Sequence, residues 1–518
     1  MYVDFGVEHP FFATAEPVVA IAAAPKFDNR VARDPERWST VRLSTGIEGL
    51  DEIIEGGLPA GRNCLIRGGP GTGKTTLALH FLTEAVDADR PPLYVSLVSP
   101  AEDVQADAAS AGFDLKGVEF LDLSTPDHLV LDDDNGQLSR ADEGRDPIVQ
   151  AITARVRELA PERIAIDSLT RLQGLLPETD DLRRQVMALL RILAESGATV
   201  VGLSEETGRS PDDELQFLAD GIITLRAGVD ARAVQVTKLR GSSFQRGWHT
   251  VRLHERGMTV FPRLAFQAHA DLPALTGHQL STGVPELNEL LHGGLERGTV
   301  TIISGPSGTG KTTIGAQFMK EAAGRGERSA LLMLDESPST FLHRAAAVSI
   351  PVNDMIDRGT LSLIPMDPLS VTPDEIAARV RTEVEEHGTT AVMIDSIASY
   401  QLTIHEHAAS GLSDLHALGR YLRAKGVIGL LTDEVATVTG DFTASGHKLS
   451  HLADTVMFLR YMETDGQLRK VIGVLKKRTS SFENVLRELQ ITEYGIKVGE
   501  PLNHLRGVLS GIPENRTD

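Results

Sequence analysis

The chain repeats itself, and this constrains its folding more than any other feature. LSTGIEGLDEIIEGGLPAG begins at Leu43, and LSTGVPELNELLHGGLERG begins at Leu280, 237 residues later. GGPGTGKTT ends at Thr76 and GPSGTGKTT at Thr313, at the same offset. IAIDSLTRL, holding Asp167, corresponds to VMIDSIASY, holding Asp395, and VTKLRGSS, with Arg240, to VLKKRTSS, with Arg478. A unit of roughly 225–240 residues is a whole domain, too long for a solenoid repeat. The predicted organisation is an N-terminal arm (1–39), domain 1 (40–262), a linker (263–276), domain 2 (277–498) and a tail (499–518).

Within each half, strand-like and helix-like stretches alternate. NCLIRG, PLYVSLV, RIAIDS, ATVVGLS and DGIITLRA are apolar runs of buried-strand length, whereas TTLALHFLTEAV and LRRQVMALLRILAES carry helical spacing. This alternation predicts an α/β class chain: two tandem domains, each a mostly parallel sheet covered by helices on both faces. Ser124 to Asp146, with its DDDNG run, reads as a solvated acidic loop.

Both halves carry a phosphate-binding loop. Gly68-x4-Gly73-Lys74-Thr75 and Gly305-x4-Gly310-Lys311-Thr312 match the pattern G-x4-G-K-[ST]. Glycines let backbone N–H groups turn inward around a phosphate, and the following helix offers its N-terminus to the same anion. The predicted ATP-binding residues are therefore Gly68, Gly69, Pro70, Gly71, Thr72, Gly73, Lys74, Thr75 and Thr76, and again Gly305, Pro306, Ser307, Gly308, Thr309, Gly310, Lys311, Thr312 and Thr313. Lys74 and Lys311 supply a charge to the β- and γ-phosphates, and Thr75 and Thr312 a hydroxyl to Mg²⁺. Asp167 and Asp395 each end an apolar run before a Ser, the arrangement that completes a Mg²⁺ site from a strand's C-terminal end.

The halves differ where hydrolysis needs a group to orient or deprotonate the nucleophile. LLMLDESPS presents Asp335 and Glu336, but the matching LYVSLVSPA has Val98 and Ser99. Domain 1 is expected to bind nucleotide and hydrolyse it slowly, unless Glu102, Glu205 or Glu206 substitutes. Lys238 and Arg240, with Lys476 and Arg478, follow a late strand in both halves. Such cations suit the γ-phosphate of a neighbouring subunit.

Composition excludes several classes. The net charge of −21 repels phosphate backbones and anionic lipid, so nucleic acid is disfavoured as the main partner. The single cysteine, Cys64, cannot form an internal disulfide, which points to a reducing, cytoplasmic compartment. Phe11 to Pro25 is interrupted by Glu16 and Pro17 and is too short to span a membrane. His405, His407 and His416 lack metal-ligand company, and Trp248 and Tyr400 read as packing residues.

From about residue 40 to 513 the chain resembles a double-domain KaiC-like protein of the RecA superfamily. The specific residues are the LSTG…GLDE…GGLPAG opening before each P-loop and the KLRG-type ending. The resemblance implies two stacked rings in a homo-hexamer, ATP at subunit interfaces, hydrolysis in both rings and Ser/Thr autophosphorylation in the second. It implies that Asp335–Glu336 stand where the family has Glu-Glu, and that Lys238, Arg240, Lys476 and Arg478 are the interface cations. Anchoring the family's phosphorylation segment on Asp454-Thr455 leaves Ser450 as the phosphoacceptor, with His451 where a second acceptor would stand. An ordered two-site cycle is therefore not expected. LNHLRGVLSGIP (502–513) resembles the family's regulatory loop, and the chain then stops at Asp518, so a three-protein oscillator is not expected either.

The leading expectation is a cytosolic signalling or timing switch, an ATPase and Ser/Thr autokinase with signalling protein partners still to be identified. Two others stay open. One is a RecA/RadA-like DNA-dependent ATPase, which salt-dependent DNA binding would reveal. The other is an ATP-dependent scaffold without kinase activity.

Overall fold

In the computed structural model the described residues are 41–125, 147–171, 180–206, 213–228, 231–264, 279–403, 411–435, 451–464, 466–503, 505–506 and 514–515. The arm, the acidic stretch from residue 126 to 146, the linker from residue 265, His405, His407, Ser450 and most of the tail lie outside them.

Each half is built on a nine-stranded sheet, and the two sheets share one strand order. In domain 1 six parallel strands run Glu119–Asp122, Leu93–Ser96, Arg163–Asp167, Thr199–Glu205, Asn63–Gly68 and Gly221–Ala227. Three antiparallel strands, Arg232–Leu239, His249–His254 and Gly257–Phe261, extend the far edge. Domain 2 repeats the order with Leu361–Pro365, Ser329–Met333, Ala391–Asp395, Ile428–Glu434, Val300–Gly305 and Thr455–Thr464, then Gln467–Lys477, Arg487–Thr492 and Gly495–Pro501.

The apolar runs are continuous because both faces of these strands are covered. Leu93, Val95, Ile164, Ile166 and Val200 share a core with the helices Pro147–Leu159 and Asp180–Glu195. Alternate residues Cys64, Ile66, Tyr94, Ala165 and Val201 form a second core on the other face, with Leu77, Phe81 and Leu82 of the helix Lys74–Thr83. Successive strand side chains point to opposite faces, so one run supplies both cores.

The opening LSTG motif is a structural clamp. Asp51 accepts hydrogen bonds from Thr45 N (2.8 Å), Thr45 Oγ1 (2.8 Å) and Ser44 Oγ (2.6 Å). In domain 2, Asn288 accepts from Thr282 N at 2.8 Å and donates to Ser281 Oγ at 2.9 Å.

Polar contacts join the halves. Arg252 grips Glu375 through two bonds of 2.7 and 2.8 Å, and Arg263 pairs with Asp414 at 2.6 Å. Thr250 donates both N–H (3.0 Å) and O–H (2.9 Å) to Asp374, and Arg381 pairs with Glu52 at 2.9 Å. Among the described residues no helix is long and apolar enough to cross a membrane.

Candidate nucleotide sites

The two glycine loops lie where the sequence pattern predicts, between the strands ending at Gly68 and Gly305 and the helices beginning at Lys74 and Lys311. Gly73 and Gly310 stand at the helix N-caps with φ of 101° and 106°. A side chain there would be strained, and its Cβ would meet Met258 Cε at 2.7 Å or Ile491 Cδ1 at 2.2 Å. Lys74 Nζ donates to the carbonyls of Gly68 and Gly69, both at 2.8 Å. Lys311 Nζ repeats this with Gly305 (2.9 Å) and Pro306 (3.0 Å). Burial lowers the pKa of both lysines, against nearby carboxylates that raise it.

The helix-start threonines meet the strand-end aspartates in both halves. Thr75 Oγ1 lies 3.0 Å from Asp167 Oδ2, and Thr312 Oγ1 lies 2.8 Å from Asp395 Oδ2. A hydroxyl and a carboxylate are hard oxygen donors, and side by side at a P-loop they fit Mg²⁺.

The aspartates have further partners that the motifs do not predict. In domain 1 Tyr94 donates its hydroxyl to Asp167 Oδ2 at 2.8 Å. In domain 2 the position matching Tyr94 is Leu331, and Thr432 instead donates to Asp395 Oδ1. A signal existed, because a tyrosine inside a buried apolar strand needs an acceptor for its hydroxyl. Two late-strand residues also touch the loops: Arg232 Nε bonds Gly71 O at 3.1 Å and Tyr461 OH bonds Ser307 O at 3.3 Å. Nothing in their local sequence marks them.

Asp335 and Glu336 follow the strand Ser329–Met333 and precede the helix Pro338–Ala346. Ser337 caps that helix, accepting from Thr340 N, and this fixes where the preceding acids emerge. Asp335 accepts from Ser399 Oγ, and Glu336 pairs with Arg344 at 2.7 Å. Burial raises the Glu336 pKa, Arg344 opposes, and Asp395 adds to the rise. In domain 1 Val98 and Ser99 are exposed before the helix Ala101–Ser110, whose first N–H is capped at a distance by Asp122 (2.8 Å).

The four late cations sit away from their own loops. Lys238 is level with Ile222, which pairs with Leu65, three residues before Gly68. Lys476 is level with Val456, which pairs with Ile302, three residues before Gly305. Each is thus about 10 Å along the strand short of the loop. Lys238 Nζ donates to Gln216 O at 3.0 Å, and Lys476 Nζ to Ala453 O at 2.8 Å. Arg240 pairs with Asp220 at 3.4 Å, and the Arg478 N–H donates to Asp454 O at 3.0 Å. Burial lowers the pKa of Lys238 and of Lys476, and the neighbouring Arg240 and Arg478 lower them further.

Comparison with known proteins agrees with this architecture. The family model described as ATPase: KaiC matches residues 43–265 and again 280–503. The chain is similar to the circadian clock oscillator protein KaiC of Prochlorococcus marinus (strain MIT 9313), 27% identical over 490 residues that cover 92% of this chain and 96% of that protein. It is similar to the protein of that name from Parasynechococcus marenigrum (strain WH8102), 27% identical over 489 residues, 92% and 94% of the two chains. A third, from Acaryochloris marina (strain MBIC 11017), is 25% identical over 492 residues, 93% and 92% of the two chains. With two P-loop domains of one topology, each matched by that model, the chain belongs to the KaiC ATPase family.

Proposed function

We propose that this chain is an ATP-driven signalling or timing switch in which domain 2 carries most of the hydrolysis. Domain 1 mainly binds ATP and holds a ring of copies together. The observation that carries this reading is the acid pair Asp335–Glu336, set beside the P-loop sheet of domain 2 and replaced by Val98–Ser99 in domain 1. Burial raises the Glu336 pKa, the direction that suits a group taking a proton from a nucleophile.

The loop residues 68–76 and 305–313 hold the phosphates, with Lys74 and Lys311 turning from loop carbonyls to phosphate oxygens as ATP enters. Thr75 with Asp167, and Thr312 with Asp395, would hold Mg²⁺, which when bound offsets charge on the phosphates. Because Lys238, Arg240, Lys476 and Arg478 stand away from their own loops, they fit the γ-phosphate held by the next subunit of a homo-hexamer. Ser450 is the phosphoacceptor under this reading, and partner proteins read its phosphate. The relatives named for clock oscillation support the switch role.

Intact-mass analysis before and after incubation with Mg·ATP tests this. One phosphate mapped to Ser450 is the expected result. ATP consumed with no phosphate on the protein would remove the kinase and leave a plain ATPase switch.

A further inference from the structure

The two halves share one carboxylate that the loop motifs do not single out. Glu205 ends the strand Thr199–Glu205, and the parallel ladder pairs it with Gly68, the first P-loop glycine. Glu434 ends the strand Ile428–Glu434 directly opposite Gly305. Ladder register, rather than loop conformation, therefore brings both acids beside the phosphate loops. Both are exposed. Burial lowers the Lys74 pKa, and of the carboxylates that oppose it Glu205 acts more strongly than Asp167. At Lys311, Glu434 likewise acts more strongly than Asp395.

The other two acids near domain 1's loop are less suited. Glu206 pairs with Arg67 at 3.4 Å. Glu102 is exposed in the first turn of the helix Ala101–Ser110. Among the described residues the Glu205 carboxylate forms no hydrogen bond or ion pair, while its backbone N–H is fixed by Thr170 Oγ1 at 2.8 Å. It is thus anchored at the main chain with its oxygens open to water.

We propose that Glu205 is the water-orienting catalytic carboxylate of domain 1, standing in for the acid pair that domain 1 lacks. Glu434 is its counterpart in domain 2, where Asp335–Glu336 is added. The water oxygen bonds to the γ-phosphorus as the bond to the β–γ bridging oxygen breaks. ADP leaves with that electron pair, and the water's proton passes to Glu205 and on to solvent. This inference rests on the reading that the domain 1 loop binds ATP.

The test uses the full chain carrying Lys311→Ala, so that the remaining turnover belongs to domain 1. Adding Glu205→Gln is expected to lower kcat about 100-fold, with the Kd for a fluorescent ATP analogue unchanged. Glu205→Asp recovers part of the rate, and Glu102→Gln or Glu206→Gln leaves it intact. Unchanged turnover in Glu205→Gln overturns the proposal. So does a Lys311→Ala chain that binds the analogue in domain 1 and hydrolyses nothing. If adding Lys74→Ala leaves analogue binding untouched, the nucleotide reading of domain 1 itself fails.

Discussion

Domain 1 and domain 2 match strand for strand, yet they meet the same local demands with different chemistry. Asp167 is steadied by Thr75 and Tyr94, Asp395 by Thr312 and Thr432. Under the glycine-rich opening of domain 2, Lys477 is buried against Glu296 at 3.0 Å and donates to the carbonyls of Leu291 and Gly294. The matching positions in domain 1 are Leu239 and Pro59, both apolar. The acid pair after the second strand exists in one half alone. A fold sets where a side chain stands, and the chemistry at that place is chosen separately.

The largest effect separates the two loops. Lys311→Ala is expected to remove about 99% of the chain's ATP turnover, since one phosphate-directed donor is worth about 100-fold or more. Lys74→Ala should instead weaken ring assembly and leave most turnover, by steady-state assay and light scattering. Equal losses from both variants would end the division of labour.

Next in size is the acid pair. Glu336→Gln should cost about 100-fold in the turnover of domain 2. Val98→Asp with Ser99→Glu should raise the turnover of domain 1, measured in the Lys311→Ala chain. A transplant without gain would show that the flanking helix, capped by Ser337 only in domain 2, is also needed.

The buried pair gives a stability contrast. Lys477→Leu leaves the Glu296 charge buried without its cation, and should destabilise domain 2 by about 3 kcal/mol in urea unfolding. Adding Glu296→Leu should recover most of it, because apolar residues hold the matching positions in domain 1.

The smallest effect concerns the seam. Burial pushes the Asp374 carboxyl up to about 6 from 3.8, against the hydrogen bonds from Thr250; Asp414 raises it further and Arg263 lowers it. The folded chain therefore keeps this proton where the unfolded chain has lost it, so stability falls as pH rises through 4 to 6. Between pH 5 and 7 the loss is about 1 kcal/mol. Asp374→Asn should flatten that part of the Tm profile, and an unchanged slope would assign it to another group.

Much of the site was legible because its residues are contiguous. A glycine loop, a lysine and a threonine must follow one another for the backbone to wrap a phosphate, so Gly68 to Thr76 announces itself. Asp167 was readable because it ends an apolar run, and Val98–Ser99 because the repeat supplies its own reference. Tyr94, Thr432, Arg232, Tyr461 and the shared placement of Glu205 and Glu434 were not read as a set. Tyr94 and Thr432 reach a strand-end aspartate, and the others a loop, across the sheet from a segment far away in sequence.

The sequence by itself determined the duplication, the α/β class, the two phosphate loops and the chemical inequality of the halves, since these depend on local order and period. Only the tertiary structure decided which carboxylates stand beside each loop, which way the late cations face, and how Thr250, Arg252 and Arg263 hold domain 2. Those facts depend on strand register and on antiparallel return. One residue of slip would turn Glu205 to the other face, and nothing in the local sequence of Glu205 records its alignment with Gly68.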